Sequence, residues 1–281
     1  MFYLLMAIIC STMITLVMRI GEGKIRNNMG MFMTNYAICV LVSRISMGEM
    51  NLFTKTEGIG FSMALGLCTG IMFLACFVFM QWNMKKNGVV MTSTFTKLGV
   101  LVPTLMAILI FGEIPQLIQV LGIIIALAAI LIMHFDKEND VVQNGNMKKW
   151  LIVQLLMSGF TDSLVNIYDK TGNLILKDHY LFYTFLTAFI LALVMGVRKK
   201  EKFCKWDVLF GVLIGVPNYF SSSFMLLALR SVPAIIAYPV CNVGTIVTIS
   251  VASMLLFKEK ISNCKKIGLL FVMVALVLLN F

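Results

Sequence analysis

A chain of 281 residues that is 60% hydrophobic and only 13% charged, with a mean hydropathy of +0.94, is not an ordinary soluble domain, in which about 25% of residues are charged. At roughly 20 apolar residues per bilayer crossing, ten spans would leave no room for a built-in ATPase, receptor ectodomain or kinase module, and no G-x-x-x-x-G-K-[ST] phosphate loop is present. The net charge of +10 gathers at the ends of apolar runs, where it reads as a topology signal and not as a nucleic-acid footprint.

In chain order, the apolar runs predict helices over 2–20, 30–47, 59–81, 88–111, 116–135, 148–168, 179–197, 207–229, 234–257 and 265–281. Met1-Phe2-Tyr3-Leu4 has neither a basic region nor a small-residue cleavage site, so the first run is expected to be a retained helix. Helices are expected throughout, because lipid-exposed backbone must satisfy its own hydrogen bonds and the runs are too long and unalternating for barrel strands. The hydrophilic stretch from Asp136 to Lys149 divides the chain into five-helix halves, 1–140 and 141–281. Cysteines such as Cys10, Cys39, Cys68, Cys76 and Cys241 sit inside apolar runs without metal-ligand spacing, as small buried hydrophobes do.

The halves repeat. Phe111-Gly112-Glu113 is followed by Gly122 nine residues after the glutamate, and Phe257-Lys258-Glu259 by Gly268 at the same interval, an offset of 146. Gly66-x-x-x-Gly70 finds Gly211-x-x-x-Gly215 at an offset of 145. Such internal symmetry marks transporter folds built from repeats, with the substrate site at the repeat interface. An odd number of spans per half requires the second copy to be inverted, and the charges agree. The connection after span two carries Lys55 alone, whereas its copy after span seven carries Arg198, Lys199, Lys200, Lys202 and Lys205. The richer side, which also holds Lys24, Arg26, Lys85, Lys86, Lys148 and Lys149, is expected to be cytoplasmic, which puts both termini outside.

The ten-span plan and the paired F-G-E and F-K-E turns, each with its glycine nine residues on, resemble the drug/metabolite transporter superfamily, specifically the EamA-like permeases. The resemblance implies an all-α membrane protein of two inverted five-helix repeats. Pro103 and Pro239 fall inside spans four and nine, away from the positions where this family commonly places prolines. Family members usually keep both termini in the cytoplasm, opposite to the charge count.

A charge at mid-bilayer costs roughly 2.5 to 3.5 kcal/mol on insertion scales, which singles out Lys97 in span four and Asp162 in span six. Thr96 adjoins Lys97, and Ser158, Asp162, Asn166 and Asp169 recur as one polar stripe. Two readings stand: Lys97 and Asp162 line a water-accessible cavity, or they form a salt bridge that fixes helix packing. Span eight adds Asn218 and Tyr219, and span nine adds Tyr238, Cys241 and Asn242, with Asn242 aligned to Thr96 through the repeat. Glu113 and Glu259 precede helix starts and are expected to cap them. Gly66, Gly70, Gly211 and Gly215 are expected to permit close helix packing.

The expected function is a secondary transporter of a small polar metabolite, an amino acid or similar, working by alternating access in the plasma (inner) membrane. Lys97 would meet a carboxylate or phosphate and Asp162 an ammonium or a coupling proton, while Asn166, Tyr238, Asn242, Asn218 and Thr96 would complete the substrate site. No cofactor, metal or nucleic acid is expected. The expected partners are the substrate, the bilayer and a proton or other coupling ion, with the protein a monomer or weak homodimer. A flippase for lipids or lipid-linked sugars would share the same fold. An intramembrane aspartyl protease is the remote alternative, resting on Tyr168-Asp169, but Asp162 and Asp169 lie about 10 Å apart along one helix, too far for a catalytic dyad.

Overall fold

The computed structural model describes residues 1–21, 23–48, 52, 54–87, 89–134, 148–199, 203–257 and, apart from 269, 272, 273 and 276, 267–278. Among these residues there is no strand. The helices are α1 (Phe2–Ile20), α2 (Asn28–Ser46), α3 (Ile59–Asn87), α4 (Val89–Leu98), α5 (Leu101–Leu109), α6 (Leu117–His134), α7 (Lys148–Thr171), α8 (Lys177–Lys199), α9 (Lys205–Leu229) and α10 (Ala234–Phe257). Helical backbone recurs between 267 and 278. Among the described residues six segments are long and apolar enough to cross a membrane: Phe2–Ile20, Asn28–Ser46, Ile59–Met80, Lys149–Thr171, Leu174–Arg198 and Lys205–Leu229. Shorter apolar helices cover Phe95–Leu109, Leu117–Ala129 and Ala234–Ile249.

The distribution of polarity is that of a protein whose surroundings are apolar. Leu5, Ile9 and Met13 of α1 are about half exposed, whereas Asn35, Ser43, Ser62, Thr69, Gln154 and Asn166 are buried. Outward apolar faces suit lipid, and these inward polar groups, Asn166 excepted, find hydrogen bonds that lipid cannot offer.

The fourth run differs from expectation. It is not one helix over 88–111 but two, α4 and α5, separated at Gly99 and Val100. The sequence supplies the cause. Pro103 has no N–H to return to the carbonyl of Gly99, so that carbonyl takes the Val102 amide three residues on, at 3.0 Å. The Gly99 amide is shared between the carbonyls of Phe95 and Thr96, at 3.2 Å each, and the Val100 amide reaches back three residues to Lys97 at 3.3 Å, tightening the chain there.

Two compact units emerge, and each draws on both sides of the hydrophilic stretch at 136–149, most of which lies outside the described residues. One comprises Met1–Leu74 and Leu164–Arg230, the other Ala75–Ser163 and Ser231–Phe281.

In the first unit, α1 and α2 pack on α9, and α2 packs on α8. The repeated glycines make the closest approaches. A Cβ on Gly211 would come within 2.7 Å of the Met31 carbonyl, and one on Gly215 within 2.8 Å of the Asn35 carbonyl. A Cβ on Gly66 would lie 2.9 Å from the Tyr180 carbonyl, and one on Gly70 would collide with the carbonyl of Thr184. Thus α9 rests on α2, and α3 on α8, through the same motif. Asp207, fully buried, accepts from the amides of Arg26 and Asn27 at 2.8 and 3.2 Å and from that of Cys204 at 2.8 Å, tying the start of α2 to the start of α9. Lys24 lies over the Trp206 ring near Asp207, whereas Asp169 and Asp178 pair with Arg230 and Lys177 at the opposite ends of α7, α8 and α9.

In the second unit, Ala126, Ala129, Val243, Ile246 and Ala275 form a small-residue core joining α6 and α10. Glu113 caps a helix as expected, but one far along the chain: it accepts from the amides of Ala234 and Ile235 at the start of α10, at 3.3 and 3.0 Å. The dipole argument holds, with a non-local partner. Glu259 lies outside the described residues.

Two expectations follow. Gly70→Val forces two backbones apart and is expected to cost about 1–3 kcal/mol, measured as a lower Tm in detergent, whereas Gly60→Ala, with nothing within 4 Å of its new methyl, leaves Tm unchanged or raises it. Glu113→Ala strips the α10 amides of their acceptor and is expected to cost about 1 kcal/mol.

Candidate functional site

The centre of the second unit is built where the break between α4 and α5 lies on α7. Gly99 and Gly159 face each other so closely that a Cβ on either would strike the other strand of backbone, or the Ser158 hydroxyl. Ser158 Oγ donates to the Thr96 carbonyl at 3.0 Å, supplying a partner at the broken turn. That crossing brings Thr96 and Lys97, on α4, to the stretch of α7 that carries Asp162.

Lys97 and Asp162 do not form an ion pair. The Lys97 ammonium donates instead to Asn242 Oδ1 on α10 at 3.4 Å. The two charges are near enough to interact electrostatically, and Cys241 shares that field. Lys97 and Asp162 are each partly buried. Tyr238, also on α10, donates to the backbone carbonyl of Asp162 at 2.7 Å, so its hydroxyl fixes α7 against α10 at the level of the carboxylate. Thr96 donates to the Thr92 carbonyl at 2.8 Å. Of the residues expected in the substrate site, Lys97, Thr96, Asp162, Tyr238 and Asn242 thus come together in one unit.

Asn166 and Asn218 belong to the other unit. Asn166 is fully buried, and neither atom of its carboxamide has a hydrogen-bond partner among the described residues. Asn218 Nδ2 donates to Asn35 Oδ1 at 3.2 Å, joining α9 to α2. Asp169, buried at 4% exposure, is paired with Arg230 Nε at 2.9 Å.

Gln154 is a centre residue that the sequence reading passes over. It lies one turn before Ser158 on α7, is fully buried, and donates through Nε2 to Cys76 Sγ on α3 at 3.4 Å. Its Oε1 has no partner among the described residues. The signal was present, since Gln154, Ser158 and Asp162 follow each other at four-residue steps. Among the described residues no three His, Cys, Asp or Glu side chains gather as a metal ion would need.

This arrangement sets an ammonium and a carboxylate that are not paired with each other among neutral hydrogen-bonding groups within apolar helices. Residues 150–281 match the EamA-like transporter family. The resemblance carried by the paired turns therefore holds over the second half of the chain, and it is to membrane transporters of the drug/metabolite type. An uncharacterized protein of Haemophilus influenzae is 22% identical over 289 residues, covering 99% of this chain and 97% of that one. A crystal structure of another protein, 10% identical in sequence, superposes with a TM-score of 0.82 over 99% of this chain and 94% of that chain, a likeness of fold.

The anchoring role of Tyr238 is open to test. Tyr238→Phe removes one hydrogen bond and is expected to lower stability by about 1 kcal/mol, read as a fall in Tm.

Proposed function

We propose that this protein is a secondary transporter that moves a small polar metabolite bearing both charges, such as an amino acid, by alternating access. Lys97 receives the anionic group and Asp162 the cationic group or a coupling proton. The observation that carries this reading is that these two membrane-buried charges are not spent on each other: Lys97 is held by the neutral Asn242, and the Asp162 carboxylate has no hydrogen bond or ion pair among the described residues. A purely structural pair would have closed, because leaving either charge unpaired in an apolar interior is costly.

The match of residues 150–281 to a transporter family supports the same reading. The reciprocal glycine contacts, α9 on α2 and α3 on α8, support two inverted repeats at 1–140 and 141–281, since equivalent motifs contact equivalent helices. The excess of basic residues in the connections on one side, Arg198, Lys199, Lys200, Lys202 and Lys205 against Lys55 in the equivalent loop, supports a membrane orientation with the basic side cytoplasmic and both termini outside.

Lys97→Met keeps the length of the side chain and removes its charge. Loss of a charge-assisted contact worth about 1.5–3 kcal/mol is expected to weaken uptake of anionic or zwitterionic substrates into proteoliposomes by roughly 10- to 100-fold, with the protein still folded. Uptake equal to that of the native protein overturns the assignment. For coupling, Asp162→Asn is expected to abolish stimulation of uptake by an imposed pH gradient while substrate exchange persists. A native protein indifferent to the gradient removes Asp162 from that role. Alkaline phosphatase fused after Phe281 is expected to be active. Inactive phosphatase together with a fluorescent green fluorescent protein fusion reverses the orientation.

A further inference from the structure

Lys97 and Asn242 join α4 to α10 in the second unit. Both are partly buried, and the bond from the Lys97 ammonium to Asn242 Oδ1, at 3.4 Å, is the one hydrogen bond that either side chain makes among the described residues. An ammonium has three N–H donors and a carboxamide nitrogen has two. Nζ therefore keeps two donors and Asn242 Nδ2 keeps both. Amide geometry fixes Nδ2 about 2.3 Å from Oδ1, so it lies no more than about 5.7 Å from Nζ. A carboxylate that accepts at about 2.8 Å from each nitrogen, one oxygen apiece, spans that separation.

Packing does not call for this pair. At the 146-residue offset of the repeated turns, Lys97 corresponds to Val243, which is fully buried in the apolar core that joins α6 and α10. Asn242 corresponds to Thr96, whose hydroxyl donates to the Thr92 carbonyl of its own helix. One register is thus filled once by an apolar side chain and once by an ammonium. The other is filled once by a self-satisfied hydroxyl and once by a carboxamide that reaches across to a second helix.

We propose that Lys97 and Asn242 form a two-donor clamp for a carboxylate, with Asn242 the residue that makes the clamp selective. This rests on the transporter reading and deepens it, for it names the anionic group and adds a second residue that touches it. The carboxamide holds the ammonium in place, leaves its charge intact and contributes a donor of its own. One ammonium balances one negative charge, which favours a carboxylate over a phosphate dianion. An aspartate at 242 would do the reverse of all this, because it neutralises Lys97 and replaces the Nδ2 donor with an acceptor.

Small probes address the clamp without knowledge of the substrate. Purified full-length protein in detergent is titrated with sodium acetate, sodium methylphosphonate or acetamide, each against sodium chloride at the same ionic strength, and Tm is followed. Acetate is expected to raise Tm saturably, methylphosphonate to require higher concentrations, and acetamide to have no effect. Asn242→Asp is expected to raise Tm without any probe, since it closes an ion pair with Lys97, and to abolish the response to acetate. Asn242→Leu keeps the ammonium and loses Nδ2, and is expected to raise the concentration of acetate for half effect by about 10-fold or more.

A native protein that responds to acetate no more than to chloride overturns the proposal, and so does an Asn242→Asp variant that responds as the native protein does. A fall in the Tm of Asn242→Asp puts the ammonium out of reach of residue 242 and overturns it equally. Methylphosphonate acting at lower concentration than acetate overturns the choice of carboxylate. These readouts do not depend on transport. An acetate response that Asn242→Asp abolishes, without uptake of any common amino acid into proteoliposomes, sinks the transporter reading alone, whereas amino-acid uptake by Asn242→Asp equal to that of the native protein sinks only the clamp.

Discussion

The centre of this protein depends on two glycines that let two backbones touch. Without a Cβ on Gly99 and Gly159, the break in the fourth apolar run can rest directly on α7. Any side chain at either position would hold α4 and α5 away, and with them Lys97 away from the level of Asp162. Broken helices are tolerated in an apolar medium only where freed carbonyls find partners inside the protein. Here the Ser158 hydroxyl serves the Thr96 carbonyl, and three-residue hydrogen bonds serve those of Lys97 and Gly99. The contact that opens the helix is also the contact that repairs it.

The second constraint is electrostatic. An ammonium in apolar surroundings must be solvated by something, and the choice of partner decides what else it can do. A carboxylate at contact distance would neutralise Lys97 and leave little field for a ligand, whereas the carboxamide of Asn242 orients the ammonium and keeps its charge. Tyr238 performs the corresponding service for Asp162 by bonding its backbone and not its carboxylate. Both residues are thus held by neutral groups from α10, the one through its ammonium and the other through its backbone, which makes that helix, whose N-terminus is pinned by Glu113, the frame of the cluster.

What the sequence made legible was whatever depends on local spacing. Apolar run length placed most helices to within a few residues, and the G-x-x-x-G pairs announced close packing that α2 and α8 provide. Lys97 and Asp162 stood out because charges in apolar runs are rare. What escaped was decided by partners far along the chain. Glu113 reads as the cap of the helix beginning a few residues on, yet it serves amides about 120 residues later. The break at Gly99 needed two weak signals together, a glycine and a proline four residues apart, neither of which ends a helix reliably alone. Asn218 meets Asn35 on α2, a partner 183 residues away that helical periodicity does not announce, because it says which face a residue occupies and not which neighbour it meets.

The acids of the chain make the argument for a functional centre from the opposite direction. Among the described carboxylates that are not exposed, Glu113 and Asp207 accept from helix amides, Asp169 pairs with Arg230, and Asp178 accepts from the Tyr219 hydroxyl at 2.7 Å beside Lys177. Each sits near a helix terminus: Glu113, Asp178 and Asp207 at N-termini, where dipoles and backbone amides reward a negative charge, and Asp169 at the C-terminal end of α7, where Arg230 neutralises it. Asp162 departs from this pattern in both respects. It lies mid-helix in α7, and its carboxylate carries no hydrogen bond or ion pair within the described residues. A chain that satisfies its other acids so consistently has the means to satisfy or replace this one. An apolar residue at 162 would pack at lower cost, and a cation or a proton meeting the carboxylate, as the proposed role requires, would offset that cost.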